Sequence, residues 1–138
     1  MARRIKHPVA TRRNAARSSL RSHLEAARLE LRALYRALDR LSLAQHLPPQ
    51  LRRLQEFDAD FAEALWVLDQ PPGRFDLAAM TRDTLASLNK LSRAREALLG
   101  LFDDSTRARI EGQVEATRGT LSPEDAYLEI RGRDPAAQ

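Results

Sequence analysis

Cysteine is absent from this chain of 138 residues, and glycine, aromatic and β-branched side chains are scarce. Without cysteine there can be no disulfide, no thiolate zinc site and no cysteine nucleophile. Val and Ile together number only six, too little material for a sheet. No apolar run approaches the roughly 20 residues of a membrane span; the longest is Ala64 to Leu68. A secretory apolar core is also missing. Lysine is nearly absent too, with two Lys against twenty-one Arg.

What remains is rich in Leu, Ala and Arg, which lose little on entering a helix. The expected fold class is all-α. It is an up-down-up helical bundle of three long helices plus two short C-terminal helices, with helix 1 overlong and coiled-coil-like. Residues 1–10 are expected as a flexible basic N-terminal arm, 11–132 as the bundle domain and 133–138 as a disordered tail.

Helix 1 is predicted over about Thr11 to Gln45. Leu20, Leu24, Ala27, Leu31, Leu34, Leu38 and Leu41 alternate steps of four and three, the a/d seam of a coiled coil. Pro48 and Pro49 are expected to stop it. Helix 2 follows from about Pro49 to Asp69 with an apolar face of Leu51, Leu54, Phe57, Phe61, Leu65 and Leu68. Pro71-Pro72-Gly73 breaks the chain again.

Helix 3 is expected to start at the N-cap Asp76, with Phe75 and Met80 placed as a hydrophobic staple. Its face reads Leu77, Met80, Leu85, Leu88, Leu91, Leu98 and Phe102, and it ends near Gly100. A fourth helix spans about Ser105 to Arg118, closed by Gly119. A fifth turn or two begins at Ser122-Pro123-Glu124-Asp125 and ends near Gly132.

Short connections make the long helices antiparallel neighbours. Helix 1, at about 35 residues, is roughly 52 Å long against roughly 31 Å for helix 2. Paired backward from Pro48, helix 2 covers helix 1 only to about His23 or Leu24. The start of helix 1 is therefore expected to overhang.

Charge is divided along the chain. Residues 1–40 carry eleven Arg/Lys against three acids, a net of +8, and residues 41–138 carry a net of −4. The first 24 residues hold seven basic groups, Arg3, Arg4, Lys6, Arg12, Arg13, Arg17 and Arg21, and no acid. Guanidinium groups suit phosphate oxygens. These seven are the candidate nucleic-acid-binding residues. With no aromatic among them, binding is expected to the backbone, without sequence reading. The same stretch also suits a solvated arm, an acidic protein surface or a mitochondrial presequence.

A catalytic constellation does not emerge. His7, His23 and His46 have no metal-ligand spacing, and no phosphate loop or nucleophile elbow is present. Arg17 and His23 resemble the Arg/His pair of HEPN-type ribonucleases in spacing alone. Val9 to Arg13 resembles the Arg-rich helix of polyphosphate-binding CHAD domains over that stretch only, and the rest of that pattern is absent. Glu56, Asp60 and Glu63 share a face of helix 2, which reads as a solvated face rather than a metal cluster. The expectation is a cytoplasmic, non-enzymatic binding protein with no cofactor, metal, membrane or small-molecule substrate. Its lead role is docking on nucleic acid within a nucleoprotein complex. The alternative is a protein-interaction or self-assembly module, a homo-oligomer among its forms. It would use the helix 1 seam at Leu20 and Leu24, which the overhang would leave without an internal partner, and Trp66.

Overall fold

The computed structural model describes residues 8–71 and 73–121, with side chains from residue 12 onward. Among these residues there are four α-helices and no strand: α1 (Pro8–Arg40), α2 (Pro48–Leu68), α3 (Leu77–Leu99) and α4 (Asp104–Arg118). The expected fifth helical turn and the C-terminal tail lie outside the described residues.

Helix α1 begins at Pro8, three residues before the expected Thr11. Proline suits the first turn, where its missing N–H costs no hydrogen bond. The helix also ends five residues before Gln45. Leu43 N–H donates to Leu38 O at 2.8 Å and Ser42 N–H to Asp39 O at 3.0 Å. This double closure is a Schellman motif, with Ser42 at φ 60° in the left-handed position. Leu38 is fully buried and Leu43 is packed against the core, so both ends of the motif are apolar, as is usual for it. A short 3₁₀ turn at Ala44–His46 then leads into α2.

That early stop changes the register. Five residues fewer in α1 shift the pairing by about 7.5 Å, so α2 reaches further back than expected. Leu20 and Leu24 are 5% and 0% exposed. The expectation that they lack an internal partner is therefore corrected: the seam from Leu20 through Leu38 is buried within this chain.

The bundle is also organised differently from a simple three-helix hairpin series. Helix α1 is central, with α2 along one side and α4 along another, while α3 lies mainly against α2. The short α4 buries Ile110, Val114 and Thr117, so it occupies the place expected for a long helix. Ala33 and Ala37 are fully buried on α1, and small side chains there allow close approach. Glu30 and Arg40 on the same flank reach Arg118 and Thr117. The Arg118 guanidinium is held above its ordinary pKa by hydrogen bonding and attraction to Glu30.

On the other flank Arg28 closes a fork on Asp58, with Nε to Oδ1 at 2.9 Å and Nη2 to Oδ2 at 3.2 Å. Their side chains are only 12% and 6% exposed. A bidentate pair at this depth fixes the rotation of α2 on α1. Arg32 is buried with its guanidinium 5.1 Å from the centre of the Tyr35 ring.

Helix α3 is the loosely covered element. Its buried residues are Thr84, Leu98 and Leu99, and Leu85, expected on its apolar face, is 54% exposed. Its start is firm: Asp76 accepts from Ala79 N–H at 3.1 Å. The preceding turn places Gly73 at φ 93°, where a side chain would be strained. At the α4 start Asp103 accepts from Thr106 N–H at 2.7 Å, and that hydrogen bond holds its carboxyl below the ordinary value.

Candidate functional site: a trough between α2 and α3

Because α3 touches α2 closely only in places, a trough runs between them. Its widest part is a hollow of about 520 Å³ lined by Asp60, Phe61, Glu63, Ala64, Val67, Phe75, Asp76, Ala79, Met80, Asp83, Thr84 and Ser87. Two properties of this lining matter. Phe61, Ala64, Val67, Phe75 and Met80 supply apolar surface, while Asp60, Glu63, Asp76 and Asp83 supply four carboxylates with no cation among the lining residues. Asp60, Glu63 and Asp83 are exposed, as charged rim groups should be.

A second hollow shares Asp60 and Ser87 and adds Arg53, Glu56, Phe57 and Lys90. A third shares Arg53 and adds Gln50, Ala94, Ala97, Leu98 and Leu101. The shared residues join the three into one trough. From Gln50 to Val67 it follows α2 for about 26 Å. Its character changes along the way, from acidic near the α2 C-terminus to apolar near Leu101, which is 58% exposed. Arg53 marks the middle, its guanidinium 5.2 Å from the Phe57 ring centre.

The basic segment of α1 meets the acidic end of the bundle. Arg17 Nε donates to Leu68 O at 2.9 Å and Nη2 to Gln70 O at 2.9 Å. These carbonyls belong to the end of α2, where the last turn has no helical partners. The same guanidinium lies 5.8 Å from the Phe75 ring centre. Arg21 pairs with Asp69 at 2.6 Å. Arg17 and Arg21 are thus engaged within the chain, against the expectation that all seven basic groups stand clear. Arg12 and Arg13 are exposed, and neither has an ion-pair partner among the described residues. Arg3, Arg4 and Lys6 lie outside the described residues.

The remaining candidates separate. Trp66 is 64% exposed, about 100° around α2 from the trough residue Val67. His23 Nδ1 donates to Ser19 O at 2.7 Å, while Arg17 six residues away is held on α2. That Arg/His pair points in two directions. Among the described residues no three His, Asp or Glu side chains are grouped so as to hold a metal ion, and no helix is long and apolar enough to cross a membrane.

No known protein family, curated protein or solved structure matches the chain. The trough itself was not legible in the sequence. Its one signal was the acidic face Glu56, Asp60 and Glu63, which reads equally well as solvated surface.

Proposed function

We propose that this protein is a helical interaction module whose working surface is the α2–α3 trough, and that the trough receives an amphipathic basic helix from a protein partner. The observation that carries this reading is the combination of apolar lining and four carboxylates in one hollow. A basic helix fits such a lining twice over. Its arginine stems cover the apolar floor while their heads meet the carboxylates, and the trough's length of about 26 Å suits a helix of roughly 17 residues. Recognition of a helix in a groove is a common mode of peptide binding.

A second reading, docking on a nucleic-acid backbone, is favoured by the exposure of Arg12 and Arg13. It loses support from Arg17 and Arg21, whose engagement on α2 leaves fewer guanidinium groups for phosphates.

One titration separates the two. Isotope-labelled protein is followed by amide chemical shifts while a synthetic helical peptide with Leu and Arg faces is added, and separately a short random DNA duplex. The peptide is expected to move Asp60, Ala64, Asp83 and Ser87, and the double variant Asp60→Lys/Asp83→Lys is expected to weaken it about tenfold. Unmoved trough resonances would sink the reading. Duplex-induced shifts at Arg12 and Arg13 that fade with salt would favour the second.

A further inference from the structure

We infer that the helix received at the trough's acidic end is the Arg-rich start of α1 from a second copy, so that the protein pairs as a two-fold dimer. The inference rests on the trough being a helix-binding surface, and it names the partner.

Charge is the first argument. The hollow presents Asp60, Glu63, Asp76 and Asp83 without a cation, and the chain itself carries the complement. Arg12 and Arg13 are exposed in a stretch of 24 residues that has seven basic groups and no acid.

Placement is the second. Arg17 sits on the last carbonyls of α2, so the beginning of α1 lies at the end of the bundle where Val67, Phe75 and Asp76 line the acidic hollow. Phe75 and Asp76 also line a neighbouring hollow with Arg13, Ala16, Leu77, Ala78 and Thr81. Donor and acceptor surfaces therefore share one end of the molecule. Two copies related by a two-fold axis there make both contacts at once, and the contact closes as a dimer rather than propagating as a filament.

The third argument concerns the chain's own α1. Leu20 is buried and Arg17 is bound to α2, which holds the helix rigidly in place. In this position Arg13 reaches only the Phe75–Asp76 edge of its own acidic hollow, and neither Arg12 nor Arg13 lines the part that holds Asp60, Glu63 and Asp83. A second molecule has no such constraint.

Most of the attraction is between exposed charges, so pairing should be weak and salt-sensitive. The test is sedimentation velocity over a range of concentrations at low and high salt. The intact protein is expected to dimerise at low salt and to dissociate as salt rises. Arg12→Glu/Arg13→Glu and Asp60→Lys/Glu63→Lys/Asp83→Lys should each raise the dimer dissociation constant at least about tenfold, because like charges then face each other. Mixed together, the two variants should form a heterodimer, since both contacts regain opposite charges. That rescue also shows that both variants fold.

A protein that stays monomeric at low salt, or a dimer indifferent to both variants, overturns the inference. If the monomer's trough still takes the synthetic peptide, the interaction-module reading stands without the dimer. If neither the peptide nor a second copy binds, both fall.

Discussion

The two sides of α2 face different environments, and the contrast separates what holds the protein together from what is open to a partner. Toward α1, the helix closes a forked ion pair through Asp58 and buries Leu54 and Leu68, while Phe57 and Phe61 are buried at the boundary between core and trough. Toward α3, it lines a trough with Asp60, Glu63, Ala64 and Val67. Helix α4, with 15 residues, fully buries Ile110 and Thr117, whereas α3, with 23 residues, buries only one side chain before its final turn. Helix length is therefore a poor guide to structural weight here. Apolar stripes stabilise only where a neighbour covers them.

The largest test of this contrast removes equivalent bulk from each side. Ile110→Ala should cost about 3 kcal/mol in urea unfolding, because a fully enclosed site leaves a cavity. Leu85→Ala should change stability by no more than about 0.5 kcal/mol. Equal losses would mean that α3 is as firmly packed as α4.

A second comparison concerns ion pairs at different depths. Arg28→Ala should cost about 3 kcal/mol, since it strands a buried carboxylate at Asp58. The combined Arg28→Met/Asp58→Leu change should recover most of that loss in the same unfolding measurement. At Arg21 and Asp69, where the side chains are 34% and 63% exposed, an alanine substitution should cost under about 1 kcal/mol. A failure of the double change to recover stability would mean that the fork contributes more than neutralisation of Asp58.

The smallest effect is at the α1 terminus that sets the register of both sides. Ser42→Gly should stabilise the protein by about 0.5–1 kcal/mol, raising the thermal midpoint. Glycine enters the left-handed region without the steric penalty of a side chain. No stabilisation would mean that the serine hydroxyl compensates locally.

Helical content, the break near Pro71 and the Asp76 cap were legible in the sequence, since they depend on local chemistry, whereas Pro48 opens α2 rather than ending α1. The a/d spacing from Leu20 to Leu38 also marked those residues as one face, and the structure buries them together. What covers them was not legible in the sequence, for one physical reason. The Schellman closure at Ser42 uses a non-glycine residue, so the sequence offered no stop before Pro48, and α2 was paired about one and a half turns too low. That displacement alone left Leu20 and Leu24 apparently unpartnered; α1, with 33 residues against 21 in α2, still extends past the end of α2 at its start.

The candidate site divides in the same way. Composition places the positive charge near the start of the chain and the acids later, whatever the fold. Only packing across 48 or more residues of sequence could decide that Arg17 and Arg21 settle on the end of α2 while Arg12 and Arg13 stay exposed. The sequence by itself thus determined the helices, their apolar faces and the polarity of charge, because each follows from neighbours along one chain. Tertiary structure alone decided that the short α4 shares the core with only the last turn of α3, and that the carboxylates of α2 and α3 converge on one trough. Those outcomes depend on which helices approach one another, and local propensity carries no information about that.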